Sequence, residues 1–151
     1  MDIFIMRHGE AGFSAFNDKD RPLTARGEEQ ASEQGLWLVK QMLPEQVLVS
    51  PYLRAKQTYQ YVQQHFSHSI LTETWDNLTP HGNPELVVDY LETLQQQGVK
   101  SVLIVSHLPL VDEIVTALGI REAIAFHPAT IVHLEKTEQI TKLIEFKIPT
   151  A

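Results

Sequence analysis

The sequence predicts an α/β fold in three layers, α/β/α, with a doubly wound, mostly parallel sheet and an antiparallel hairpin at its C-terminal end. Short apolar runs alternate with amphipathic segments along most of the chain. This alternation indicates strands joined through right-handed helical crossovers, which cover both faces of a parallel sheet. No repeat or low-complexity linker divides the chain, so residues 1–151 are predicted to form one domain.

The first predicted elements are a buried strand and a long helix. Residues 3–6 form a short apolar run without helical spacing, which is typical of a buried strand. The stretch 23–43 has amphipathic spacing, with Thr24 as a candidate N-cap and Pro44 at its end. A polar loop separates the two elements.

The middle of the chain repeats this pattern. Residues 47–50 read as a second buried strand, which Pro51 ends. The segment 54–66 then places its apolar side chains on one helical face. Residues 70–75 alternate in polarity, which favours a strand near the edge of the sheet.

The last third of the chain supplies the clearest strand and the hairpin. A helix is predicted from Pro84, a residue favoured in a first helical turn, to Gly98. The continuous apolar run 101–106 predicts a buried strand, and 109–118 predicts another helix. Residues 130–148 contain two β-rich halves around a polar turn, as in an antiparallel hairpin.

The composition is that of a globular protein, with 43% hydrophobic and 21% charged residues. We expect a cytoplasmic protein that does not enter membranes, because neither a secretory leader nor a run of about 20 apolar residues is visible. The absence of cysteine excludes disulfides, thiol catalysis and thiolate metal sites. A net charge of −7 argues against a broad nucleic-acid surface but leaves room for a small cationic pocket. Nothing in the sequence demands more than a monomer.

Cationic side chains follow three of the predicted strands. The first strand leads into Arg7 and His8, the second leads through a short turn to Arg54, and the run 101–106 leads into His107. Ligands of parallel α/β sheets bind beyond the carboxyl ends of the strands. Each residue alone has an ordinary structural explanation, such as an ion pair or a hydrogen bond to a carbonyl. For all four together, a shared site explains the pattern better than coincidence does.

Two guanidiniums and two imidazoles are suited to a phosphoryl group. The planar forks of arginine match phosphoryl oxygens, and a neutral imidazole is a nucleophile for phosphorus. His8, placed before Gly9 in a predicted tight turn, is the candidate nucleophile, and His107 is a candidate donor to the phosphoryl oxygens. We predict no metal and no other cofactor, because the arginines would repel a divalent cation and no carboxylate has ligand spacing.

Three segments resemble the motifs of a known family, in the family's order. FIMRHGEA (residues 4–11), SPYLRAKQT (50–58) and VSHLPLV (105–111) resemble the motifs of the histidine phosphatase, or phosphoglycerate mutase-like, superfamily. RPLTARGEEQA (21–31) and LTPHGNPE (78–85) are similar to the short SixA-type phosphohistidine phosphatases of that superfamily. The resemblance extends over nearly the whole chain. It implies that His8 forms a phosphohistidine intermediate in a phosphate pocket completed by Arg7, Arg54 and His107.

The resemblance also implies a rim around this pocket, in the loop that follows the first motif. Its candidate residues are Arg21, Ser14 and Asn17. Arg21 has an alternative, because it could equally form a surface ion pair with Asp18 or Asp20.

The stretch between the second and third motifs departs from the family's pattern. Mutases and phosphomonoesterases of the superfamily place a protonatable carboxylate between the second and third motifs, where this chain reads WDNLTPHG (residues 75–82). Asp76 and His81 are the candidate proton donors there. A phosphohistidine substrate tolerates a missing acid, because imidazole, with a pKa of about 6.5, is a much better leaving group than an alkoxide.

These observations predict a metal-independent protein phosphohistidine phosphatase of a phosphorelay. Its partner would be a phosphorylated histidine-containing phosphotransfer domain or a sensor kinase, because the short connections leave little material for a lid and the site should be open. Two alternatives stay open. One is a small-molecule phosphomonoesterase of the same superfamily, with Asp76 or His81 as its acid. The other is a non-catalytic phosphohistidine-binding protein.

Overall fold

A computed structural model describes residues 1–151 as a six-stranded sheet with four α-helices. The strands are β1 (Asp2–Arg7), β2 (Gln46–Val49), β3 (Leu71–Thr74), β4 (Ser101–Ser106), β5 (Ile131–Lys136) and β6 (Thr141–Lys147). The helices are α1 (Ala25–Gln41), α2 (Leu53–Gln63), α3 (Pro84–Gln96) and α4 (Leu110–Ala117). Two single 3₁₀ turns, Asp18–Asp20 and Asp76–Leu78, lie in the loops.

The sheet has the order β3-β2-β4-β1-β5-β6. The first four strands in this order are parallel, and β5 and β6 are added antiparallel beyond β1. The predicted mostly parallel sheet with a C-terminal hairpin is therefore confirmed. Strand β3 lies at one edge, as its alternating polarity predicts, because a strand with one neighbour leaves more of its side chains in water.

Helices cover both faces of the sheet, as expected for three layers. In β1, Ile3 and Ile5 belong to the core cluster beneath α3 and α4. Phe4 and Met6, which alternate with them, belong to the cluster beneath α1 and α2. All four side chains are fully buried. The continuous apolar run of a central parallel strand thus divides between two cores.

The helix boundaries follow local chemistry. The Thr24 hydroxyl accepts a hydrogen bond from the Gly27 amide at the start of α1, and the Asn83 side chain caps α3 in the same way. Helix α2 ends earlier than its apolar spacing predicts. After Gln63 the chain makes tighter turn bonds, from the His65 amide to the Val62 carbonyl and from the Phe66 amide to the Gln63 carbonyl. None of the helices is both long and apolar enough to cross a bilayer.

Candidate active site

The carboxyl ends of β1, β2 and β4 meet at one place. Arg7 lies opposite Ser106 in the parallel ladder, and the His8 amide continues it by donating to the Ser106 carbonyl over 3.0 Å. The Ser50 amide donates to the Val105 carbonyl over 3.1 Å on the other side of β4. The register of three adjacent strands therefore delivers the residues after each strand to a common site.

His8 is buried at this site, and its hydrogen bonds show which of its two ring nitrogens carries the proton. The Nδ1 atom lies 2.7 Å from the Gly9 carbonyl oxygen, which can only accept, so Nδ1 carries the ring proton. Nε2 is then unprotonated, and it accepts a hydrogen bond of 3.2 Å from Arg54 Nε. Burial lowers the pKa of His8 to about 4, and the charges of Arg54 and Arg7 add to this effect. At neutral pH, His8 therefore presents a lone pair at Nε2.

His107 packs edge-on against His8, with 5.1 Å between the ring centroids. Its Nε2 atom lies 2.7 Å from the Ser50 hydroxyl, and that hydroxyl also accepts from the Tyr52 amide. Burial, reinforced by His8 and Arg54, lowers the pKa of His107 to about 3, so this ring is also neutral. When the Ser50 hydroxyl donates to Nε2, the ring proton sits on Nδ1, which is buried without a hydrogen-bond partner.

The guanidiniums of Arg7 and Arg54 are held by different hydrogen-bond partners. Arg7 donates from Nη1 to the Phe126 carbonyl over 2.8 Å, and its buried Nε has no partner. Arg54, in the first turn of α2, is 4% exposed and donates from Nε to His8. Because an unpaired buried donor is costly, an oxyanion that accepts from Arg7 Nε and His107 Nδ1 would be stabilised here. The residues present therefore fit a phosphoryl group.

Thr58 joins the first and second motifs. Its hydroxyl accepts from the Gly9 amide over 3.0 Å and donates to the Arg54 carbonyl over 2.7 Å. Thr58 was not among the predicted site residues, since its position fits the buried face of the helix equally well. Its spacing of four residues from Arg54 is the signal that places both on one side of α2.

The reason for a glycine at position 9 differs from the one expected. Gly9 does not have the positive φ that a tight glycine turn suggests; such values occur only at Gly98 and Gly119 among the glycines. Instead, a Cβ atom on Gly9 would lie 2.7 Å from the Gly27 carbonyl oxygen. The glycine is needed because α1 approaches the loop after β1 so closely.

The loop after β1 places Arg21 beside the cluster. Arg21 donates from Nε to the Gly12 carbonyl and pairs with Asp18 Oδ1, both over 2.9 Å. The predicted alternative of an ion pair with Asp18 is therefore present. The same carboxylate also reaches Arg54, so this ion pair adjoins the site. Ser14 and Asn17 lie exposed on the same loop.

The candidate proton donors lie in the turn around Asp76–Leu78. The Ser106 hydroxyl donates to the Leu78 carbonyl over 2.6 Å, which fastens this turn to the end of β4. Asp76 and His81 themselves are exposed.

No group of three or more histidine, cysteine, aspartate or glutamate side chains is arranged to hold a metal ion.

The comparisons with known proteins agree with the three motifs. The sequence profile of the histidine phosphatase superfamily (branch 1) matches residues 3–79. A phosphohistidine phosphatase SixA homolog of Haemophilus influenzae is 50% identical over 143 residues, which cover 89% of this chain and 87% of that protein. The chain belongs to the histidine phosphatase superfamily. The predicted resemblance to this superfamily is thus confirmed.

Further members of the superfamily resemble the chain over most of its length. Phosphohistidine phosphatase SixA of Escherichia coli is 44% identical over 119 residues, covering 78% of this chain and 74% of that protein. The solved structure of the protein histidine phosphatase SixA complexed with tungstate superposes with a TM-score of 0.94 and 38% identity. It covers 99% of this chain and 97% of the solved chain. The predicted phosphoglycerate mutase-like α/β/α fold is therefore confirmed as well.

The buried, neutral state of His8 has a consequence for stability. Its pKa of about 4 in the fold lies below the value of about 6.5 in an unfolded chain. As the pH falls below about 6.5, the unfolded state binds the proton first, so the stability is lost progressively toward pH 4. We expect acidification from about pH 7 to about pH 5 to cost the wild type about 2 kcal/mol more than a His8→Asn variant. Urea unfolding of both proteins at each pH measures this difference, and equal losses would contradict the lowered pKa.

Proposed function

We propose that this protein is a metal-independent phosphatase that removes the phosphoryl group from a phosphohistidine on another protein. The observation that carries the proposal is the unprotonated Nε2 of His8, held beside the buried guanidinium of Arg54. A neutral imidazole next to fixed positive charge can attack a phosphoryl group whose oxygens those charges bind.

In the first step, the lone pair of His8 Nε2 attacks phosphorus in line with the departing nitrogen. A phosphorus–nitrogen bond forms to His8 while the one to the substrate imidazole breaks, and the leaving ring, which already carries a proton on its other nitrogen, keeps the electron pair and departs as neutral imidazole. Arg7, Arg54 and His107 donate hydrogen bonds to the phosphoryl oxygens. Because these donors are already in place, little reorganisation is needed as charge moves in the transition state.

In the second step, water attacks the phosphorus of phospho-His8. The bond to Nε2 breaks, the electron pair returns to the ring, and the water loses a proton to the solvent as inorganic phosphate forms. The Gly9 carbonyl keeps the proton of His8 on Nδ1 throughout, so Nε2 emerges ready for another cycle. The same guanidiniums serve both steps.

The leaving group favours phosphohistidine over a phosphate ester. The two candidate acids, Asp76 and His81, are exposed side chains in a surface turn, whereas His8 and His107 are buried. An alkoxide needs a well-placed acid in order to leave, and imidazole does not. The names of the two curated relatives, both phosphohistidine phosphatases, support the same choice. The tungstate in the related structure supports an oxyanion pocket.

The surroundings of the pocket support a protein as the substrate. Phe16, in the loop before Asp18, is fully exposed, and Phe13 is 81% exposed. A shallow groove of about 390 Å³ lies alongside, lined by residues that include Lys19, Tyr52 and Lys56. A phosphohistidine on a protein brings neighbouring side chains with it, and these would cover such a rim. We propose a phosphotransfer domain or sensor kinase of a cytoplasmic phosphorelay as this partner.

Phe16→Ala is expected to lower activity toward a protein substrate without changing activity toward a small one. We predict a loss of about tenfold in kcat/KM for a phosphorylated phosphotransfer domain, the equivalent of about 1.4 kcal/mol, because an aromatic side chain buried at an interface contributes on this scale. Turnover of free phosphohistidine should not change. Phe146→Ala, which removes another exposed phenylalanine from the edge strand β6, is the matched control. Equal effects of Phe16→Ala on both substrates would contradict a docking role.

The substrate class is tested by release of inorganic phosphate with EDTA present. The protein is mixed in parallel with a phosphorylated phosphotransfer domain and with a panel of sugar and glycerate phosphates. We expect release from the phosphoprotein at a much higher kcat/KM than from any ester. A preference for an ester would favour the phosphomonoesterase alternative, and tight binding of the phosphoprotein without release would favour a binding protein.

A further inference from the structure

Asp18 connects two of the candidate phosphate-binding guanidiniums. Its Oδ2 atom lies 3.1 Å from Arg54 Nη2, and its Oδ1 atom lies 2.9 Å from Arg21 Nη1. Its backbone carbonyl also accepts from Arg54 Nη1 over 2.7 Å. The carboxylate therefore lies against the same fork that a phosphoryl group would use.

The environment keeps Asp18 negatively charged. Hydrogen bonds from Arg21, and then from Arg54, lower the pKa of its carboxyl group more than partial burial raises it. The Asp18 side chain is 55% exposed, whereas that of Arg54 is 5% exposed. A surface loop thus supplies the counter-charge of a nearly buried cation, and the exposed carboxylate can withdraw this charge at little cost in packing.

We propose that Asp18 is a positioning residue that occupies the forks of Arg54 and Arg21 as an internal anion and competes with phosphate for them. In the free protein, it holds both guanidiniums in orientation. When a phosphoryl group binds, its oxygens take over hydrogen bonds that Asp18 made. Once phosphate has formed, the carboxylate competes for the arginines again and favours release of the product.

In this role Asp18 limits how tightly the pocket binds phosphate, in addition to orienting the two guanidiniums. A pocket of unopposed arginines would bind free phosphate tightly and would be inhibited by its own product. A competing carboxylate weakens the binding of every oxyanion by a similar amount. The protein therefore relies on contacts outside the phosphoryl group to bind its substrate. The inference rests on the proposed function only in taking phosphate as the anion that these arginines bind.

Asp18→Asn tests the proposal, because it removes the charge and keeps the size of the side chain and the backbone carbonyl that Arg54 contacts. Calorimetric titration with inorganic phosphate should show binding about tenfold tighter than in the wild type, the equivalent of about 1.4 kcal/mol. The kcat for the phosphoprotein should fall while its KM also falls, since release of phosphate slows. A loss of general pocket structure would instead weaken phosphate binding and raise KM.

Asp20→Asn is the matched control, because Asp20 lies in the same 3₁₀ turn and forms no ion pair. It removes the same charge two residues away, and we expect less than about a twofold change in phosphate affinity. Asp18→Ser, which also removes the charge but differs in shape, should tighten phosphate binding like Asp18→Asn. Equal or weaker phosphate binding by both Asp18 variants, or equal tightening by Asp20→Asn, would overturn the proposal. A wild type that binds phosphate but does not hydrolyse phosphohistidine would refute the proposed function alone.

Discussion

Replacing His8 with alanine is expected to lower kcat/KM for a phosphorylated phosphotransfer domain by about 10⁴-fold or more. The variant keeps Arg7, Arg54 and His107, and it loses the unprotonated ring nitrogen that accepts a hydrogen bond from the Arg54 guanidinium. The remaining donors can still bind phosphate. We therefore expect the variant to bind the phosphoprotein and not to release its phosphate, as measured by single-turnover release of radiolabelled phosphate.

His68→Ala is the matched control for this experiment. His68 is an exposed histidine whose ring contacts only the neighbouring Ser69 carbonyl. Its replacement should leave kcat/KM unchanged. A His8→Ala protein that unfolds at the wild-type temperature and still releases phosphate at the wild-type rate would show that another group attacks phosphorus.

Replacing Arg54 with lysine should have the second largest effect, a loss of about 10²- to 10³-fold in kcat. The guanidinium of Arg54 makes three separate contacts, through Nε to His8 and through its two terminal nitrogens to Asp18. An ammonium group keeps the charge but cannot reproduce a planar fork. We therefore expect the loss even though the net charge of the pocket is unchanged, and steady-state kinetics with the phosphoprotein measures it.

Arg121→Lys makes the same exchange at an exposed arginine after α4 and should have no effect on kcat. The comparison separates the geometry of one guanidinium from any general effect of the substitution. If Arg54→Lys retained wild-type kcat, the positive charge alone would be sufficient, and the fork geometry that we assign to Arg54 would be wrong.

The sequence predicted most of the fold because its signals are local. The run 101–106 coincides with β4 as observed, since a continuous apolar segment between polar boundaries has few other solutions. The cap at Thr24 was visible for the same reason. The end of α2 was not visible in the sequence, because the tighter turn after Gln63 depends on packing, and the spacing of apolar residues carries no information about that packing.

The sequence likewise predicts some residues of the site and not others. The rule that ligands bind beyond parallel strand ends predicts Arg7, His8 and His107 from the sequence, and the structure places them together. The contact of Asp18 with Arg54 and that of Thr58 with Gly9 join residues tens of positions apart. Such contacts leave no periodic signal in one sequence. The roles of all these residues in catalysis stay predictions.

The most direct test of His8 as the nucleophile is to trap the phosphorylated enzyme. The protein is mixed with a radiolabelled phosphoprotein, quenched in alkali within one turnover, digested, and mapped by mass spectrometry and phosphorus NMR. We predict an acid-labile, alkali-stable phosphoryl group on Nε2 of His8, which disappears at the rate at which inorganic phosphate is released. Release of phosphate at full rate with no label on His8, or with the label on another residue, would contradict it.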